Sequence, residues 1–99
     1  MDVSIIIINY NTEQLVLNCI NSIYQKTTKL NFEIIVVDND SEQFNLLQND
    51  NRIKFIKSSS NLGFGKANNL AAKYAQGRYL FFLNPDTILL NNAIELLYN

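Results

Sequence analysis

The most informative segment of the sequence is Tyr79-Leu80-Phe81-Phe82-Leu83-Asn84-Pro85-Asp86-Thr87. Its first five residues are an unbroken run of bulky apolar side chains, which predicts a strand buried on both faces. The run ends in an amide, Asn84, and a carboxylate, Asp86, on either side of a turn-forming proline. Open α/β sheets bind ligands where strands end in loops, and a carboxylate there suits Mg or Mn beside a phosphate. Because Asn-Pro-Asp is also ordinary turn chemistry, a structural turn remains the alternative for this stretch alone.

Two upstream runs predict the centre of the sheet. Val3 to Ile8 and Phe32 to Val37 are dense in β-branched residues, so both predict strands covered on both faces. A helical pattern from about Thr12 to Gln25 lies between them, with Asn11 as the predicted N-cap and Gln14 reaching back toward it. Such a β-α-β unit crosses right-handed and makes its strands parallel. The loops that follow the two strands therefore face the same rim.

A third strand and two helices continue this alternation. Ser41 is the predicted cap of a short helix across Glu42 to Gln48. Arg52 to Lys57 alternates polar and apolar residues, which is typical of a strand at the edge of a sheet. A loop from Ser58 to Gly65 leads into a helix whose apolar residues recur at helical spacing. The predicted inward face of this helix is Ala67, Leu70, Ala71, Tyr74 and Ala75.

The last part of the chain predicts one more helix. Gly77 is the predicted left-handed C-cap of the preceding helix, and Asn91 is the predicted N-cap of a helix from Asn92 to Tyr98. The chain reaches Asn99 without a cap, glycine or proline that would signal an end. We therefore expect residues 1–99 to be the front part of a larger protein. The predicted fold class is α/β, a Rossmann-like open parallel sheet of about four strands with flanking helices.

The composition fits one small folded domain. The chain has 99 residues, of which 47% are hydrophobic, and a formal net charge of -1, so nucleic-acid binding through phosphate neutralisation has little support. With no histidine and a single cysteine, most zinc chemistry is excluded, and Cys19 is predicted to fill the core from a helix. The run Val3 to Ile8 lacks a basic leader and a cleavage site, so we do not expect it to be a signal peptide, and no apolar segment of residues 1–99 is long enough to predict a membrane span. A cytoplasmic protein is the simplest expectation, with peripheral association at the inner face of the membrane left open.

Three polar clusters gather at the predicted carboxyl rim: Asn9-Tyr10-Asn11, Asp38-Asn39-Asp40-Ser41 and Asn84-Pro85-Asp86. Three acceptor-rich strand ends on one rim predict a binding crevice. Asp38 could accept a hydrogen bond from a base or a ribose, or it could cap its own turn. Tyr10 could stack on a base, or pack half-buried. Asp86 could hold a divalent cation that bridges two phosphates. A phosphate-bearing ligand would therefore explain all three clusters together.

The glycine-rich stretch Gly63-Phe64-Gly65-Lys66-Ala67-Asn68 is not a dinucleotide fingerprint. The third glycine is replaced by Asn68, and the stretch follows the third predicted strand instead of the first. It is not a P-loop either, since Lys66 is not followed by serine or threonine. Its glycines predict a close approach of the backbone to a ligand or a neighbouring strand. We expect Lys66 to be solvated.

At these residues the chain resembles the family 2 glycosyltransferases of the GT-A fold. Ile5 to Asn11 is similar to their first strand, and Val36 to Ser41 to their second strand with its nucleotide-binding aspartate. Asn61 to Asn69 and Leu83 to Thr87 are similar to the rhamnosyltransferase-like branch. The resemblance covers essentially the whole chain, as the N-terminal, nucleotide-sugar-binding half of that fold.

This resemblance implies an inverting transfer of a sugar from a nucleotide-diphosphate sugar to a carbohydrate or lipid-linked acceptor, of the cell-surface polysaccharide type. Asp86 matches the last acid of the family's Asp-any-Asp motif, which implies a divalent cation, Mn or Mg. Asn84 stands in place of the first acid and brings no charge, and Gln43 stands where many members carry another acid. The family's general base lies in the other half, so no catalytic residue is assigned. The residues implied to bind the nucleotide are Asn9, Tyr10, Asn11, Asp38, Asn39, Asn61, Gly63, Asn68 and Asn84.

Three other functions predict different sequence features. A sugar nucleotidyltransferase would carry a glycine-rich loop after the first strand. This chain has Asn9-Tyr10-Asn11 there instead. A flavodoxin-like receiver domain would carry an acid pair after that strand, and this chain has none. A non-catalytic nucleotide-binding module remains open, and so does self-association through an uncovered sheet edge or helix face.

Overall fold

The computed structural model describes residues 1–98. The prediction that the helical pattern reaches Asn99 without a stop signal concerns a residue outside this range. Strands and helices alternate along the chain, as the sequence predicts. The strands are β1 (Val3–Asn9), β2 (Phe32–Asn39), β3 (Lys54–Ser58) and β4 (Tyr79–Leu83). The helices are α1 (Glu13–Lys26), α2 (Asn45–Gln48), α3 (Gly63–Tyr74) and α4 (Ala93–Tyr98).

The four strands form one parallel sheet in the order β3-β2-β1-β4. The register of β1 runs from Val3 opposite Phe32 to Asn9 opposite Asp38, so the polar ends of β1 and β2 are level. The chain builds outward from β1 through β2 to β3 and then returns to the other side of β1 for β4. This reversal makes the space between β1 and β4 the topological switch point, where open α/β sheets bind ligands. The predicted α/β fold class is confirmed.

The core lies on both faces of the sheet, and β1 is buried along its whole length, as its β-branched run predicts. The face opposite α1 packs against α3 through Ala67 and Ala71, whose small side chains let the helix lie close to the strands. Cys19 is fully buried in α1, which confirms it as core filling. The buried apolar residues on the α1 side are Val3, Ile5, Ile7, Val16, Cys19, Ile20, Ile23, Ile34, Val36, Leu47, Leu89 and Ile94.

The prediction that β4 is buried on both faces is wrong. β4 is an edge strand that pairs with β1, and α3 packs over β1 and β2. Leu80 and Phe82 are consequently 38% and 53% exposed, while Phe81 and Leu83 pack against the α1-side core. The edge position predicted for the third strand is confirmed by its place at the other end of the sheet.

Several predicted helix ends are also wrong. Asn11 is not the N-cap of α1: its backbone has φ 55, and Thr12 occupies that position. Ser41 does not cap α2, which begins only at Asn45. The predicted loop up to Gly65 ends earlier, because α3 already begins at Gly63.

On the predicted inward face of α3, Ala67 and Ala71 are buried and Leu70 and Ala75 partly buried, but Tyr74 is 55% exposed. The N-cap of α4 lies one residue later than predicted. The amide of Leu96 donates to the carbonyl of Asn92, and the helix begins at Ala93.

Gly77 is not the left-handed C-cap that the sequence predicts. Among the described glycines only Gly63 has a positive φ, of 76. A Cβ on Gly77 would instead lie 2.4 Å from the backbone nitrogen of Ser4. Glycine is required here because the turn before β4 passes directly against β1.

The edge of the sheet opposite the polar rim is held by a buried carboxylate. Glu33 Oε2 accepts hydrogen bonds from Ser4 Oγ at 2.6 Å and from the amide of Gln76 at 2.7 Å. Lys54 Nζ lies 2.8 Å from Glu33 Oε1. The amide of Gly77 donates to Ser4 Oγ at 2.8 Å, so one network joins β1, β2, β3 and the turn before β4.

Candidate functional site

A cavity of about 600 Å³ opens at the carboxyl rim of the sheet, at the switch point between β1 and β4. This volume falls in the range typical of small-molecule sites. Four separate parts of the chain form its walls: the end of β1 with the start of α1, the end of β2, the start of α3, and the loop after β4. Its lining residues are Ile8, Tyr10, Thr12, Leu15, Asn39, Asn61, Gly63, Phe64, Asn84, Pro85 and Asp86.

Two aromatic rings line this cavity. Tyr10 follows β1 and is 49% exposed, while Phe64 lies in the first turn of α3 and is 62% exposed. Exposed rings of this size offer flat surfaces on which a planar base can stack without regard to its identity. Phe64 was missed in the sequence, although its position between Gly63 and Gly65 at a helix start was a usable signal.

The wall between the aromatic rings is tied by two asparagine side chains. Asn39 Nδ2 donates to Asn61 Oδ1 at 2.9 Å, which joins the end of β2 to the loop before α3. The same oxygen of Asn61 accepts the amide of Gly63 at 2.9 Å, and Asn39 Oδ1 accepts the amide of Leu62 at 2.8 Å. These bonds hold Gly63, whose φ is 76, at the cavity wall.

Next to the lining residues Tyr10 and Asn39 in the sequence, Asn9 and Asp38 are fully buried and form the centre of a hydrogen-bond network. Asn9 Nδ2 donates to Asp38 Oδ1 at 2.7 Å and to Ser41 Oγ at 3.2 Å. Asn9 Oδ1 accepts from the amide and the hydroxyl of Thr12 at 3.1 and 3.0 Å. The amide of Ser41 donates to Asp38 Oδ2 at 3.1 Å, and Ser41 Oγ accepts the amide of Asn11 at 2.8 Å.

Lys57 compensates the charge of this network from β3. Its Nζ lies 3.5 Å from Asp38 Oδ2 and 3.8 Å from Asp40 Oδ1. The same ammonium lies 4.4 Å from the centre of the Phe44 ring, a distance that allows a cation–π interaction. A buried carboxylate needs such a partner together with hydrogen bonds, and Asp38 has both.

The loop after β4 supplies the predicted metal ligand. Asp86 is exposed at the cavity, and the amide of Thr87 donates to the carbonyl of Asn84 at 3.1 Å, which closes the turn. Among residues 1–98 no group of three or more His, Cys, Asp or Glu side chains could enclose a metal. A single carboxylate beside an amide fits a cation that keeps most of its ligands as water and ligand phosphate oxygens, as Mg commonly does.

The structure brings six of the ten predicted site residues to the cavity: Tyr10, Asn39, Asn61, Gly63, Asn84 and Asp86. Asn9 and Asp38 lie in the buried hydrogen-bond network. Asn11 instead lines a neighbouring polar groove, and Asn68 lies on α3, outside the residues that line either space. The roles of all ten in binding stay predictions. Sequence reasoning also missed Ile8, Thr12 and Leu15 as lining residues and Lys57 as a partner of Asp38, since these depend on contacts between elements.

Comparison with known proteins identifies the family of this chain. The sequence model of Glycosyl transferase family 2 matches residues 4–99. The chain belongs to glycosyltransferase family 2. It is 39% identical over 98 residues to an Escherichia coli protein, UDP-Glc:alpha-D-GlcNAc-diphosphoundecaprenol beta-1,3-glucosyltransferase WfgD, covering 95% of this chain and 38% of the relative. It is 29% identical to glycosyltransferase GlyG of Streptococcus pneumoniae, covering 97% of this chain and 34% of GlyG.

Solved structures show the same fold. Staphylococcus aureus TarS 1-349 in complex with UDP-GlcNAc superposes with a TM-score of 0.81 at 29% identity, covering 97% of this family 2 chain and 29% of TarS 1-349. The mannosyltransferase PcManGT of Pyrobaculum calidifontis, in complex with GDP-Man and Mn2+, gives a TM-score of 0.79 at 20% identity, which shows the fold alone. These neighbours are GT-A glycosyltransferases.

The family 2 chain spans little more than a third of the length of these two relatives, 38% of WfgD and 34% of GlyG. The rhamnosyltransferase-like branch stays a prediction. Within residues 1–98, none of the helices has the length and apolarity needed to span a membrane.

Proposed function

We propose that this chain forms the donor-nucleotide site of a glycosyltransferase that moves a sugar, with inversion, from a nucleoside-diphosphate sugar to an acceptor hydroxyl. The observation that carries the proposal is the cavity at the switch point, which combines exposed aromatic rings, amide groups and one carboxylate. Aromatic rings can stack on a base, amide groups can hydrogen-bond to a ribose, and a carboxylate can hold a cation that binds a diphosphate. The names of two similar proteins support a uridine diphosphate donor, since WfgD uses UDP-Glc and TarS was solved with UDP-GlcNAc.

In this proposal the base stacks on Tyr10 and Phe64, and the amides of Asn39 and Asn61 bond to the base or the ribose. Gly63 lets the ligand approach the backbone closely, because it has no side chain at the wall. The direct hydrogen bond between Asp38 and the nucleotide, suggested by the family resemblance, stays a prediction.

Asp86, with the amide of Asn84 beside it, would hold a divalent cation against the diphosphate. That cation would offset the negative charge that grows on the departing diphosphate. In the reaction the acceptor oxygen bonds to the anomeric carbon, the bond from that carbon to the diphosphate oxygen breaks, and the acceptor proton passes to a general base. We propose that this base and the acceptor site, carbohydrate or lipid-linked, lie outside residues 1–99.

A non-catalytic nucleotide-binding module is the second candidate. The observation that favours it is that Asp86 is the one carboxylate among the described cavity-lining residues. If Asp86 holds a cation, no lining carboxylate is left to deprotonate an acceptor. Both candidates require the nucleotide site itself, so that site is tested first.

The test is calorimetric titration of the chain with UDP, dTDP and GDP, each with and without Mn. We expect saturable binding of one nucleotide that Mn strengthens, and loss of the Mn effect in Asp86→Asn. Glu42→Gln is the matched control, because Glu42 is also an exposed carboxylate but lines the neighbouring groove. An absence of binding by a chain shown to be folded by circular dichroism would contradict the proposal.

A further inference from the structure

The side chain of Asn9 has no hydrogen-bonding capacity left for a ligand. Its two amide protons go to Asp38 and Ser41, and its carbonyl oxygen accepts two bonds from Thr12. An asparagine side chain offers two donor protons and one oxygen with two lone pairs, so all four sites are used. The side chain is also fully buried, as is that of Asp38.

These bonds connect three segments that carry the rim. Asn9 ends β1, Asp38 is opposite it on β2, and Thr12 is the N-cap of α1. Between and beside them, Asn11 and Asp40 hold positive φ angles of 55 and 67, which non-glycine residues adopt only where their surroundings enforce it. Hydrogen bonds of the network are made at both turns: the amide of Asn11 donates to Ser41 Oγ, and the amide of Ser41, directly after Asp40, donates to Asp38 Oδ2.

We infer that Asn9 is a positioning residue for the nucleotide site: its buried amide holds Tyr10 and the loop after Asp38 in place without touching the ligand. The inference deepens the proposed function and rests on it. The network needs a hydrogen-bond donor at this position, because Asp38 Oδ1, which accepts from the Asn9 amide, belongs to a buried carboxylate.

Replacing this donor by an acceptor makes the site sensitive to pH. In Asn9→Asp, two carboxyl groups would meet at the place where the amide now lies 2.7 Å from Asp38. Like charges at this distance force one group to keep its proton, and that proton restores the missing hydrogen bond at low pH. The other charged groups near Asp38 are Lys57 from β3 and, through Lys57, Asp40 from the loop. Both remain in the variant.

The experiment measures the ratio of the variant's Kd to the wild-type Kd for the nucleoside diphosphate that the wild type binds, without metal. Taking this ratio cancels the titration of the nucleotide itself. We expect the ratio to be within about threefold at about pH 5.5 and to rise to about tenfold or more at about pH 8. Asn18→Asp adds the same charge on the exposed side of α1, where Gln14 donates to the side-chain oxygen, and its ratio should stay flat.

A ratio for Asn9→Asp that is equally high at both pH values, or near one at both, would overturn the inference while leaving the donor site intact. A wild-type chain that binds no nucleoside diphosphate would instead refute the proposed function, and the inference with it. If Asn9→Asp does not fold at high pH, Ser41→Ala is the second variant. It removes the acceptor shared by Asn9 and the amide of Asn11, and should weaken binding by about threefold or more at every pH. Unchanged binding in Ser41→Ala would also contradict a positioning network.

Discussion

Gly77 is a residue whose size is restricted by the backbone that packs against it. A methyl group at this position would meet Ser4 N at 2.4 Å and the carbonyl carbon of Val3 at 2.5 Å. These are backbone atoms of the central strand and cannot move aside. We expect Gly77→Ala to lower the free energy of unfolding by about 1–3 kcal/mol, the usual cost of overpacking.

Urea denaturation followed by circular dichroism measures this loss, with Gly65→Ala as the matched control. Gly65 lies in α3 with open space where its Cβ would be, so alanine there should be neutral or stabilise the chain by about 0.4–1 kcal/mol. Equal stability of the two variants would contradict the close approach of the turn to β1.

Asn84 is the residue at which the chain departs from the family's pair of acids. Asn84→Asp would place a second carboxylate beside Asp86 at the rim. We expect nucleoside diphosphate binding to weaken without metal, through repulsion of the diphosphate, and to strengthen with Mn by roughly tenfold, which is about 1.4 kcal/mol.

Titrations with and without Mn separate these two effects. Asn51→Asp is the control, because it adds an exposed carboxylate before β3, away from the cavity-lining residues. A Mn effect that is the same in Asn84→Asp and wild type would exclude the end of β4 as the cation site.

At the scale of elements, the Glu33 network joins three strands and the turn before β4. Burial raises the pKa of Glu33, but hydrogen bonds from Lys54, Ser4 and Gln76 outweigh it, so the pKa in the folded chain lies below its ordinary value of 4.5. A depressed carboxyl pKa means that the charged form stabilises the fold at neutral pH. This contribution is lost as the pH falls from about 4.5 through the folded pKa.

Glu33→Gln should therefore cost about 1–3 kcal/mol at about pH 7, and the difference from wild type should shrink once the pH is below the folded pKa of Glu33. Urea denaturation at neutral and acidic pH measures both values. Glu42→Gln, which changes an exposed carboxylate, should leave stability unchanged. A cost for Glu33→Gln that is the same at both pH values would show that the charge of Glu33 is not what stabilises the fold.

The local sequence pattern predicts the burial of an element when both of its faces have the same surroundings. It fails where the position of neighbouring elements decides which side chains are exposed. β1 is buried on both faces, so its β-branched run predicts it fully. The run in β4 is just as apolar, yet Leu80 and Phe82 are exposed because no strand pattern encodes the order of strands in the sheet. Likewise Asn11 has the chemistry of an N-cap, but its side chain accepts the amide of Glu42 instead.

At the scale of the whole molecule, the candidate site depends on the strand order β3-β2-β1-β4. The sequence predicts that three polar strand ends share one rim, since parallel strands require it. It does not predict that β4 returns beside β1, and this return brings Asp86 and Tyr10 to one cavity. Lys57 was missed for the same reason, because its contact with Asp38 arises between elements. The predicted self-association also stays a prediction.

A titration of the isotopically labelled chain with UDP, followed by nitrogen–proton correlation NMR, would locate the nucleotide site on the molecule. We expect shifts in the amide signals of Tyr10, Gly63 and Asp86, which come from three distant parts of the sequence and line one cavity. The amides of Glu33 and Gln76, at the opposite edge of the sheet, should not move. Shifts concentrated at that opposite edge, or no shifts at saturating UDP, would contradict a donor-nucleotide site at the switch point.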